Sequence, residues 1–457
     1  MDADPTLPRS GRSRQADLLI VLLLLAIVSL LLWRTQQPTG EAPPAPARIS
    51  ARGRILELQQ SVAALTTAPV RSLVSAAPIG EPSPGLALSW DSALAAILAE
   101  ERGEQDAAKA WLNSIPTGEA GAAFQRCFAA AYLASASQPS RQDREAVRRA
   151  LRSGYAAHLL EARLHTDPAE AARLRDEARR WALPRVGALA AAGLTLLVLV
   201  PVGIALGTVL VISPRSWCEN PAPVIRLSGH DMALAILGWL LAFLLAGMLV
   251  APLMASIPFL RPFLVPLTYG IHATIGFGLL SRLEGLTMAE LWRRWTPGSH
   301  GRSLVWGLGF LALAGTMVLA VTLLLGPVLE RQEAPQQQLM DLVADTKGVL
   351  PVASLFFTVA LAAPLFEECL FRGWLLPWLG QRWRASLGPR LGWSLALVAT
   401  SLGFGLIHLQ PVALPVLSTL GLALGLAVLR TGSLLTAILV HGLWNGGVFL
   451  FYRLVLG

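Results

Sequence analysis

The sequence predicts an all-α, polytopic membrane protein: a transmembrane bundle of about eight core spans plus an N-terminal anchor helix, with a soluble α-helical domain after the anchor. Three observations carry this expectation. Of the 457 residues 54% are hydrophobic and 14% charged, the mean hydropathy is +0.55, and apolar runs near the ~20 residues that a bilayer requires recur along the chain. An ordinary soluble enzyme is excluded. The net charge is +8, with lysine only at Lys109 and Lys347. The arginines flank apolar runs, as in loops that set membrane orientation, so the expected partners are membrane lipid and a protein or peptide, with no nucleic acid. Cys127, Cys218 and Cys369 lie far apart without CxxC or CxxH spacing, which supports neither a disulfide framework nor a thiolate metal cage.

Residues 1–34 read as a tail and membrane anchor: Ala16 to Trp33 is an apolar run behind Arg9, Arg12 and Arg14. It is too long for a typical signal peptide, and no A-x-A site closes it directly. Residues 35–50 are a Pro-rich linker. Across 51–183 charge rises and apolar residues recur at helical spacing, predicting a soluble helical domain with a tetratricopeptide-like look and no fixed period. Accessory spans fill 184–328, and the last block is 329–457. Spans are expected at 185–212, 232–256, 262–281, 303–328, 349–380, 392–410, 412–430 and 433–454. Positive-inside counting makes 213–231, 282–302 and 381–391 cytoplasmic, which puts the helical domain on the extracytoplasmic side. Arg173, Arg175, Arg179, Arg180 and Arg185 cluster against that assignment, although long domains cross largely regardless of charge.

A charge inside a bilayer costs several kcal/mol, so polar residues within the spans mark candidate function. Glu367, Glu368 and Arg372 lie in one apolar helix. Glu368 and Arg372 are i,i+4 and can neutralise each other on one face, which leaves Glu367 without a local partner. An unpaired buried carboxyl is the kind of group that serves as a general base. His408 ends the next apolar helix, where alone it reads as a capped or interfacial histidine. His441 and Asn445, again i,i+4, present two hydrogen-bonding groups to one point, or simply join two helices. Helical rise from the cytoplasmic turns puts Glu367 ~20 Å, His408 ~26 Å and His441 only ~12 Å deep, so their meeting requires tilt, a broken helix or shifted helix ends. His272 reads as a buried hydrogen-bonding residue, Gly421 and Gly425 as a GxxxG packing face, and Trp374, Trp378, Trp383 and Trp393 as interfacial.

EECLFRG matches EExxxR, Phe404 with His408 matches FxxxH, and His441 with Asn445 matches HxxxN, in that order within hydrophobic helices. Together these resemble the CPBP family of intramembrane proteases, which includes CAAX prenyl endopeptidases and the bacteriocin-processing and immunity (Abi) proteins. The resemblance covers roughly Pro327 to Gly457 and marks 329–457 as the catalytic core. It implies intramembrane peptide-bond hydrolysis of a membrane-associated, sometimes lipid-modified, substrate. Glu367 would activate water with help from His408, while His441 and Asn445 would stabilise the oxyanion. Glu368, Arg372 and Phe404 would support the site. If a divalent metal such as zinc is used, Glu367, His408 and His441 would be its ligands. The expected location is a bacterial inner membrane. The rival readings are a non-catalytic scaffold or immunity factor, and a transporter using the buried charges as a proton relay.

Overall fold

The computed structural model describes residues 13–36, 51–65, 90–115, 118–133, 137–152, 154–212, 224–298, 300–329 and 337–456. All regular structure among them is helical. The Pro-rich linker beyond Gln36, and Cys218, lie outside the described residues. In chain order the helices are α1 Ser13–Gln36, α2 Ala51–Leu65, α3 Asp91–Glu101, α4 Gln105–Leu112, α5 Glu119–Tyr132, α6 Arg141–Leu151, α7 Tyr155–Leu164 and α8 Pro168–Ile212. They continue as α9 Gly229–Met254, α10 Pro258–Glu284, α11 Met288–Trp295, α12 His300–Leu329, α13 Gln337–Asp345, α14 Val349–Leu387, α15 Pro389–Leu406, α16 Leu414–Thr431 and α17 Leu434–Leu456.

Seven of them are long and apolar enough to cross a membrane: α8, α9, α10, α12, α14, α16 and α17. The expected spans at 392–410 and in the anchor correspond to α15 and α1, which are not among the seven. The chain forms two compact units, one of Met1–Pro38, Thr195–Gln336 and Thr346–Phe449, the other of Thr39–Leu194, Gln337–Asp345 and Leu450–Gly457.

The smaller unit is built on α3, in which Asp91 to Ala99 are all buried. An alanine-rich helix has little bulk, so α4, α5 and α7 can close around it on every side. Phe124, Phe128, Trp90 and Leu160 complete this core. Several ends are fixed by polar caps. Ser140 and Asp143 form a reciprocal box at the start of α6. Glu57, fully buried on α2, caps α7 instead of its own helix: its Oε1 accepts the Ala156 N–H at 2.9 Å, beside Arg54 at 2.5 Å. A carboxylate there meets the positive end of the α7 dipole. Gly154 makes room, because a Cβ would lie 2.7 Å from the Glu57 carboxylate. Two arginines of the run at the start of α8 are compensated within the helix, Arg173 by Glu170 and Glu177, Arg180 by Asp176.

The larger unit has one continuous apolar core drawn from α9, α10, α12, α14, α16 and α17. Small residues set its close approaches. A Cβ on Gly203 would lie 2.5 Å from the Ala312 carbonyl oxygen, so α8 and α12 touch backbone to backbone. Gly425 and Gly380 are filled by Leu397 and Trp393, which locks α14, α15 and α16 together. Two expected interfacial tryptophans are instead core residues: Trp374 is 0% and Trp393 4% exposed, with Trp374 edge-on to Trp295 at 4.5 Å. A tryptophan near the end of an apolar run can face a neighbouring helix instead of the headgroups, as Trp374 faces Trp295.

Glu57→Ala removes the α7 cap and leaves Arg54 alone at a buried site, an expected loss of about 1–3 kcal/mol. Cys127 reports it: the thiol is fully buried, and burial pushes its pKa up to about 11. With Cys218 and Cys369 replaced, thiol labelling of Cys127 should be roughly tenfold faster or more in Glu57→Ala than in the parent chain.

Candidate active site

The site begins with an irregularity in α14. Thr358–Ala362 and Cys369–Leu375 are wide π turns on either side of the α-helical stretch Ala363–Glu368. Pro364 accounts for the first of them, since it has no N–H and leaves carbonyls one turn back without their helical donor. Asn445 on α17 supplies a replacement, its Nδ2 donating to the Val359 carbonyl at 3.1 Å. Gly442 permits the approach, because a Cβ there would stand 2.7 Å from the Ala360 carbonyl oxygen. The defect in α14 thus docks α17, and His441 arrives beside the glutamates.

Glu368 is the centre of the cluster. Its Oε1 accepts Arg372 Nη1 at 2.9 Å and His441 Nδ1–H at 2.9 Å. The three residues are 0%, 2% and 2% exposed, so each charge depends on the others for compensation. Arg372 Nη2 donates to the Gly421 carbonyl at 2.8 Å, and its guanidinium lies 4.6 Å from the Phe404 ring centroid. The GxxxG of α16 therefore does more than pack helices: a Cβ at Gly421 would stand 3.2 Å from Arg372 Nη2 and 3.1 Å from the Ser401 Cα.

Glu367 points elsewhere, with its side chain 13% exposed. Its Oε1 accepts the Tyr269 hydroxyl at 2.9 Å, and its Oε2 lies 3.9 Å from His441 Nε2. That gap is too long for a direct hydrogen bond and suits one bridging water. The Glu368 contact fixes the proton on His441 Nδ1, which turns Nε2 toward Glu367. His408 lies just past the end of α15, half-buried, and its Nδ1–H donates to the Phe404 carbonyl at 2.7 Å. The Phe404 ring touches both imidazoles, with centroids 5.1 Å from His408 and 5.5 Å from His441.

Glu367, Glu368, Arg372, Phe404, His441 and Asn445 are thus brought together. No hydrogen bond or ion pair joins His408 to Glu367 among the described residues. The expected self-contained Glu368–Arg372 pair is a three-membered bridge, and Glu367 has a partner on another helix. The depth mismatch for His441 is closed because the helices are not straight rods from one plane. α14 runs to Leu387 through two wide turns, past the level where Gly425 meets Leu376 and Leu397. As to a metal, no group of three or more His, Cys, Asp or Glu side chains among the described residues is gathered to hold one. Both histidine Nδ1 atoms are engaged, His408 by the Phe404 carbonyl and His441 by Glu368, and His441 Nε2 is the ring nitrogen that faces Glu367.

Sequence reasoning missed Tyr269. The available signal was a phenol in an apolar span three residues from His272. His272 itself is 3% exposed and accepts the Trp239 indole N–H on Nδ1 at 3.1 Å, the buried hydrogen bond expected of it.

Arg372→Met leaves Glu368 buried with His441 alone and should cost about 3–5 kcal/mol. Adding Glu368→Gln should recover most of that loss. Unfolding midpoints of the purified chain in detergent provide the check.

No curated protein and no solved structure matches the chain. Residues 349–447, a segment that contains every residue of the three motifs, match the CPBP-family model described as Type II CAAX prenyl endopeptidase Rce1-like.

Proposed function

We propose that the chain is an intramembrane endopeptidase that hydrolyses a peptide bond in a membrane-associated protein or peptide. The observation that carries this reading is the 3.9 Å separation of Glu367 Oε2 and His441 Nε2, with His441 held from behind by Glu368. A water between these atoms would give its proton to Glu367 as the resulting hydroxide attacks the carbonyl carbon of the substrate. His408, with Nε2 unengaged among the described residues, would hold the same water from the other side. The developing oxyanion would accept from His441 Nε2–H and from the second amide hydrogen of Asn445. Glu367 would then pass its proton to the amide nitrogen as the C–N bond breaks, yielding a carboxylic acid and an amine, which exchange a proton to leave as carboxylate and ammonium.

Glu368 and Arg372 orient His441 and do not themselves meet the substrate. With both ring protons on His441, two carboxylates, one guanidinium and one imidazolium sum to zero charge, which is the arrangement a membrane interior tolerates best. Preorganised donors in a water-poor cavity are worth about 3–4 kcal/mol of barrier each. We further place the helical domain on the extracytoplasmic side of a bacterial inner membrane, on the arginine counts of the loops. The family description makes a lipid-modified C-terminal peptide the first substrate class to try.

In membranes carrying wild type or Glu367→Gln, cleavage products should be released by the first and fall by about 10²–10⁴-fold with the second. A non-catalytic scaffold or immunity factor would function equally in both, and equal product release would overturn the proteolytic reading.

A further inference from the structure

We infer that Tyr269, on α10 outside the family-matched segment, is a positioning residue for Glu367 that selects which carboxylate oxygen acts as the base. The inference rests on the proposed reading of Glu367 and goes beyond the three motifs. Tyr269 donates its phenolic hydrogen to Glu367 Oε1 at 2.9 Å, and Oε2 is the oxygen 3.9 Å from His441 Nε2. A carboxylate turns freely about its last bond unless one oxygen is held. With Oε1 engaged, Oε2 and its lone pairs face His441, where the water would sit.

The phenol is itself braced. Its ring meets His272 edge-on with centroids 4.6 Å apart, and His272 is fixed by the Trp239 indole hydrogen at 3.1 Å. An indole N–H can only donate, so His272 Nδ1 is the acceptor and one ring orientation is enforced. Phe366, the residue before Glu367, packs against Trp239 at 5.6 Å, His272 at 5.7 Å and Tyr269 at 6.0 Å. Gly276 allows this aromatic cluster to close, since a Cβ there would lie 2.9 Å from Trp239 and 3.3 Å from Phe366. A chain of contacts therefore runs from Trp239 on α9, through His272 and Tyr269 on α10, to the base on α14. The accessory helices set the geometry of a site whose motif residues all lie elsewhere.

The test compares wild type, Tyr269→Phe, His272→Phe and Glu367→Ala in proteoliposomes, using as substrate a lipid-modified peptide that wild type cleaves. Tyr269→Phe removes one oxygen and keeps the ring, so the expected result is a kcat lower by about ten- to a hundredfold, with KM and the unfolding temperature unchanged. His272→Phe should lower kcat in the same direction by a smaller factor. The inference is overturned if kcat in Tyr269→Phe stays within about twofold of wild type, if KM alone moves, or if kcat falls only in step with lost thermal stability. Cleavage that persists in Glu367→Ala would refute the proteolytic reading itself, whatever Tyr269→Phe does.

Discussion

A single buried carboxylate, that of Glu368, receives a guanidinium from its own helix and an imidazole from α17 on one oxygen. Away from water, none of these three groups is stable alone, because each would carry an uncompensated desolvation cost of several kcal/mol. Together they are mutually compensating, and their geometry follows. Arg372 is anchored to the Gly421 carbonyl, Glu368 to Arg372, and His441 to Glu368. The bridge ties α14, α16 and α17, and it leaves His441 Nε2 facing Glu367. Structural support and chemistry are thus divided between adjacent glutamates, one buried and doubly bonded on Oε1, the other partly open and aimed at a gap.

Backbone features that would be defects elsewhere make this possible. Pro364 interrupts α14 and leaves carbonyls to be satisfied from outside, which Asn445 does for Val359. Gly442 and Gly421 let backbone and guanidinium approach where a methyl group would not fit. Wide turns of this kind recur at functional sites in helices because they re-aim side chains without ending the helix.

The sequence made the fold class and the site composition legible, for physical reasons. Hydropathy over ~20 residues is a strong signal, since the bilayer imposes it on each span separately. Glu367, Glu368, Arg372, His441 and Asn445 stood out because charge and amide are rare within such spans. What could not be read was pairing between distant helices. Nothing local marks Tyr269 as the partner of Glu367, and the i,i+4 spacing of Glu368 and Arg372 hides the third member of their bridge. Depth counting failed for His441 because it treats helices as straight rods starting in one plane. The interfacial reading of Trp374 and Trp393 failed because packing between helices, not distance from a span end, decided their burial.

The central claim is that Glu368 fixes the proton on His441 Nδ1 and so aims Nε2 at Glu367. Nitrogen-15 solid-state NMR of histidine-labelled protein in lipid bilayers measures this directly, with His441 assigned by its loss in His441→Gln. The account predicts a protonated, carboxylate-bonded Nδ1 whose resonance shifts when Glu368 is changed to Gln. An unprotonated Nδ1 in the wild-type chain, or a resonance indifferent to Glu368→Gln, would contradict it.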